Sequence, residues 1–72
     1  MKFVDVILPL PLEGCFTYSL HPDMRHGDLF GRRVLVPFGK SLTYTAMVVR
    51  QHDDEPTFAY REVLSLLDDQ PM

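Results

Sequence analysis

Residues 32–50 read Arg-Arg-Val-Leu-Val-Pro-Phe-Gly-Lys-Ser-Leu-Thr-Tyr-Thr-Ala-Met-Val-Val-Arg. In the first half, Val34, Val36 and Phe38 fall on one face and Arg33 and Leu35 on the other, the period of two that a half-buried strand requires. The second half, from Leu42 to Arg50, is rich in threonine and valine, which fit a pleated surface. Gly39-Lys40-Ser41 is a short, polar link between them, so the stretch predicts a β-hairpin.

The same period extends outward. Residues 3–8, Phe-Val-Asp-Val-Ile-Leu, predict a strand with Val4, Val6 and Leu8 on one face and Phe3, Asp5 and Ile7 on the other. Pro9 and Pro11 lack backbone donors and stop it, leaving residues 9–12 extended along an edge. Gly14 permits a turn before a strand over residues 15–20, where Phe16, Tyr18 and Leu20 alternate with Cys15, Thr17 and Ser19. Residues 21–31 form a connector punctuated by Pro22, Gly27 and Gly31, and residues 51–57 a polar loop. Residues 60–67 fit a helical face or a strand; their short length and the acids Asp68 and Asp69 at the end favour a closing strand. The expected fold is mostly β: a small, partly closed barrel of four to six short strands, which buries its apolar face by curling.

Seventy-two residues make one domain, here residues 1–67, with residues 68–72 as the start of a linker. The net charge is −3, from seven basic and ten acidic residues, which argues against a general nucleic-acid binder. The basic residues nevertheless concentrate between Arg25 and Arg50, where Asp28 is the one acid. No apolar run is long enough to cross a bilayer, and Asp5 interrupts any secretory signal. Cys15 has no partner for an internal disulfide and reads as a small, half-buried strand residue. His21, His26 and His52, all placed in loops, do not have zinc-ligand spacing. Gly39-Lys40-Ser41 resembles the end of a phosphate loop, but position 34 is valine where the opening glycine belongs. No set of proton-transfer groups, nucleophile or metal ligands emerges, so the chain reads as a binding module rather than an enzyme.

Three blocks, Val4 to Leu12, Phe16-Thr17-Tyr18 and Gly31 to Lys40, resemble the amino-terminal domain of the bacterial primosomal replication-restart helicase family (primosomal protein N′). Residues 61–68 and Pro71 resemble the segment leading out of that domain. The likeness spans nearly the whole chain; its most specific part is Val34-Leu35-Val36-Pro37-Phe38-Gly39-Lys40. The resemblance implies a β-barrel-like module that recognises the 3′ end of the nascent leading strand at a stalled fork. It implies a longer parent with a winged-helix domain and an ATP-dependent 3′-5′ helicase core using ATP, magnesium and zinc. For these 72 residues it implies no cofactor. The implied partners are DNA with a free 3′ end, the rest of the parent and primosome proteins, in a bacterial cytoplasm near the nucleoid, with no membrane.

By the same resemblance the end-binding pocket maps to Phe16, Thr17, Gly39 and Arg61. Thr17 stands where the best-known members carry an aspartate; threonine is shorter and neutral, with one donor and two acceptor sites. Arg61 stands where a lysine is familiar. Lys40, Arg32 and Arg33 are candidate phosphate contacts, which position a strand without reading its bases. On pattern alone Phe16 is a core residue, Thr17 an outward strand residue and Gly39 a turn. The competing expectation is a protein-interaction or scaffolding barrel, with residues 9–12 as its docking edge.

Overall fold

The computed structural model describes residues 2–11, 13–25 and 27–67. His26, Leu12 and the proposed linker 68–72 lie outside the described residues. Six strands form one curled sheet: β1 (Phe3–Ile7), β2 (Phe16–Ser19), β3 (Arg33–Phe38), β4 (Leu42–His52), β5 (Arg61–Glu62) and β6 (Ser65–Leu66), in the order β5-β2-β1-β4-β3-β6. The architecture is the expected mostly-β, partly closed barrel. A 3-10 turn over Pro22–Met24 is the one helical element among the described residues.

The hairpin predicted from residues 32–50 forms, with Phe38 opposite Leu42 and Arg33 opposite Met47. Gly39 turns the chain at φ 71°, in the left-handed region that favours glycine. The alternating residues meet inside the curl: Val4, Val6, Leu8, Tyr18, Leu20, Val34, Val36, Ala46 and Val48 form one core. Leu29 and Val63 join it from outside the strands. The core is largely aliphatic and valine-rich, as a small twisted sheet requires to pack without voids. Pro9 and Pro11 are exposed, while Leu10 packs against the core. The edge over residues 9–11 therefore spends its described leucine inward rather than offering it for docking.

Three sequence expectations need correction. β4 runs to His52, so that histidine belongs to a strand and is half-buried, because β1 supplies ladder partners as far as Phe3. Cys15 is exposed and lies just before β2 rather than half-buried within it. The closing segment is two two-residue strands rather than one. β5 runs parallel to β2, and β6 then pairs antiparallel with β3. Between them the Val63 N–H donates to the Ser19 carbonyl at 2.9 Å and the Leu64 N–H to the Leu35 carbonyl at 2.8 Å. Six residues thus bridge the two open edges of the sheet, which covers backbone that would otherwise invite another chain.

β4 also carries an irregularity that shapes its outer face. Asp5 pairs with Arg50 and Val6 with Val48, leaving Val49 without an opposite residue. Such a bulge reverses the alternation beyond it. Ala46 and Val48 point into the core before it; Arg50 and His52 stand on the outer face after it, beside Asp5 and Phe3.

Candidate nucleic-acid interface

Strand β2 has β1 on one side along its whole length, but β5 covers its other side only at Tyr18 and Ser19. An open hollow of about 390 Å³ lies along the uncovered part. Phe16, Thr17 and Tyr18 line it from the strand, and Phe58, Tyr60 and Arg61 from the loop and β5. The volume falls at the small end of the range for ligand pockets, roughly 300–1,000 Å³.

Each wall is fixed by identifiable contacts. The Phe16 ring meets Phe38 edge-on at 5.6 Å, and Phe38 meets Tyr44 edge-on at 5.8 Å. Edge-to-face pairs of this kind hold aromatic rings in defined orientations. The Tyr18 hydroxyl donates to the Pro37 carbonyl at 2.8 Å, tying β2 to the end of β3. Burial pushes that phenol's pKa up, partly offset by the positive charge of Arg61. On the loop side, Tyr60 meets the buried Phe3 edge-on at 5.2 Å, and its hydroxyl donates to Glu55 at 3.3 Å. Phe58 is more than half exposed, at 57 %.

The structure brings Phe16, Thr17 and Arg61 to this one hollow. Gly39 does not line the hollow and joins them indirectly: the Arg61 guanidinium donates from Nη1 to the Gly39 carbonyl at 2.7 Å, tying the β3–β4 turn to a lining residue. A guanidinium has five N–H donors, so the contact leaves others for a ligand. Lys40 is exposed at the same hairpin tip. Arg32 and Arg33 are elsewhere. Arg33 lies five positions along β3 from Phe38, about 17 Å, and neither arginine lines the hollow.

Phe58, Tyr60 and the exposed Cys15 at its margin were missing from the sequence-based set. A large aromatic in a polar, proline-containing loop was the available signal for Phe58, because such a ring gains little from solvent.

Thr17 also borders a second, more polar hollow of about 270 Å³, shared with Asp5, Arg50, His52 and Phe58. The Thr17 hydroxyl donates to Asp5 Oδ1 at 2.7 Å. His52 Nε2 lies 3.0 Å from the same oxygen, and the Asp54 N–H points at His52 Nδ1 at 3.1 Å. A nitrogen that accepts from a backbone N–H carries no proton, so the network assigns the hydrogen to Nε2, where it is donated to Asp5. Arg50 stands 3.9 Å from Asp5 Oδ2. Burial raises the Asp5 pKa, but the hydrogen bonds from Thr17 and His52 and the nearby positive charge of Arg50 outweigh it, leaving the carboxyl below its ordinary range. Among the described residues no group of His, Cys, Asp and Glu is arranged to hold a metal ion, and no helix is long and apolar enough to cross a membrane.

Neither the curated proteins nor the solved structures contain a match to this chain. A family model, the 3′ DNA-binding domain (3′BD) of PriA, matches residues 5–72. That span includes Phe16, Thr17, Tyr18, Phe58, Tyr60 and Arg61, and the chain accordingly belongs to the PriA 3′ DNA-binding domain family.

Proposed function

We propose that this domain captures the free 3′ end of a DNA strand in the hollow beside β2, and that it does so for the nascent leading strand at a stalled replication fork. One observation carries the reading: Phe16 and Thr17 of β2, Phe58 and Tyr60 of the 53–60 loop, and Arg61 line a single hollow. Aromatic faces stack on any base with little sequence preference. The terminal base would lie between the Phe16 and Phe58 walls, and the sugar would approach Thr17. The phosphate on the 5′ side would meet Arg61, with Lys40 at the hairpin tip beyond it. Few cations are available, so affinity is modest and salt-sensitive.

The domain performs no chemistry in this reading. It positions a strand end for the larger replication-restart helicase, whose ATP-dependent unwinding and primosome contacts reside in other domains. Cytoplasmic action at the bacterial nucleoid follows from that role.

Fluorescence anisotropy with short labelled single strands tests the proposal. A 3′-OH end is expected to bind more tightly than a 3′-phosphate end of the same sequence, and both more weakly as salt rises. Equal affinities for the two ends would remove end recognition. Salt-independent or absent binding would favour the scaffolding barrel instead, for which the adjacent exposed side chains of Ile7 and Met47 supply an apolar outer surface.

A further inference from the structure

Thr17 is the polar side chain of β2 that borders both hollows, and its single hydroxyl hydrogen is already committed. It goes to Asp5 Oδ1 on the neighbouring strand, where Asp5 and Thr17 are direct cross-strand partners. A hydroxyl has one hydrogen and two lone pairs. With the hydrogen directed at Asp5, Thr17 presents only lone pairs to a ligand.

Asp5 is itself held in place. His52 donates to the same carboxylate oxygen, and the bulge at Val49 puts both His52 and Arg50 on this face. The Asp5 side chain is 17 % exposed, so it has little freedom to swing out and meet a ligand directly.

We propose that Asp5 is a positioning residue that makes Thr17 an obligate hydrogen-bond acceptor, so that this end of the hollow selects a strand terminus bearing a free hydroxyl and rejects one bearing phosphate. The inference rests on the end-binding reading above. A 3′-hydroxyl brings the hydrogen that Thr17 lacks. A 3′-phosphate, largely dianionic at neutral pH, presents acceptor oxygens to an acceptor, with the Asp5 carboxylate directly behind it. The phosphate that continues an internal strand position meets the same mismatch.

Three variants, each checked for folding by circular dichroism, test this by anisotropy on matched 3′-OH and 3′-phosphate strands. Wild type is expected to prefer the hydroxyl end by about fivefold or more, the scale of one hydrogen bond lost and its partner left unpaired. In Asp5→Ala the Thr17 hydroxyl is free to turn and donate. The preference should collapse to within about twofold, chiefly because the 3′-phosphate strand binds better. A gain of that kind does not arise from simple loss of structure. Asp5→Asn keeps an oxygen at the Oδ1 position and should retain most of the preference; loss as complete as in Asp5→Ala would mean that charge, not orientation, is responsible, and would overturn the proposal. Thr17→Val should lose the preference through weaker 3′-OH binding, and full retention there overturns the proposal even if Asp5→Ala does not fold. A wild-type protein that does not distinguish the two ends defeats the end-binding reading itself. A wild-type preference unchanged in Asp5→Ala defeats only the role given to Asp5.

Discussion

The aromatic residues around the hollow differ in what they contribute to folding. Phe16 packs edge-on against Phe38 and supports the core, whereas Phe58 is largely exposed and has no ring partner among the described contacts. Phe58→Ala is therefore expected to change stability by less than about 0.5 kcal/mol, the range for surface positions. If a base stacks there, the same change should cost roughly 1–3 kcal/mol of single-strand affinity. Urea denaturation and anisotropy on one preparation separate the two effects. Lost stability with unchanged affinity would assign Phe58 to the fold. Arg61 has a mixed role, since one of its five donors steadies the hairpin turn through the Gly39 carbonyl and the guanidinium has others to offer a ligand.

At the level of the elements, the outer face of β1, β2 and β4 has its own polar network. Asp5 on β1 accepts from Thr17 on β2 and from His52 on β4, so three strands converge on one carboxylate. Its folded-state pKa lies below the ordinary value, so the unfolded chain binds more protons in that range. The stabilisation is therefore fully present above the unfolded carboxyl pKa, about 3.9. It is lost as pH falls through the lower folded value. Asp5→Asn removes the charge, so wild type should exceed it by about 1 kcal/mol at pH 7, the extra strength of hydrogen bonds to a charged group. The gap should shrink toward zero at acid pH. Urea midpoints for both proteins at pH 7 and near pH 3 check the sign; a gap that widens on acidification would contradict the assigned network.

For the whole molecule, closure depends on the last described segment. Residues 61–66 change partner from β2 to β3, and Val63, at the crossover, is 2 % exposed. A domain of this size buries a modest fraction of its surface and has little stability in reserve. Val63→Ala removes two buried methyl groups at that crossover and is expected to cost about 2 kcal/mol. It should also speed amide exchange at Leu64, whose N–H bonds to the Leu35 carbonyl. A negligible change in both would mean that the barrel holds without its closing segment. The hollow depends on the same closure, because Arg61 reaches Gly39 from β5.

Most of the core was legible in the sequence. Val4, Val6, Tyr18, Leu20, Val34 and Val36 follow a strict period of two, and strand geometry turns that period directly into one buried face. The Gly39 turn followed for a similar local reason, since the link between two apolar runs had to reverse the chain. The outer polar network was not legible. Its arginine and histidine face Asp5 only because Val49 is bulged, and a bulge is set by the register that β1 and β4 find against each other rather than by any local pattern. The loop wall of Phe58 and Tyr60 was hidden for the same reason: residues 53–60 acquire their place from Phe3 and from a closing segment that bonds to two strands far away in the chain. Period and turn chemistry are local and act before the chain folds, whereas the junction of β2, the loop and Arg61 exists only once distant strands have paired.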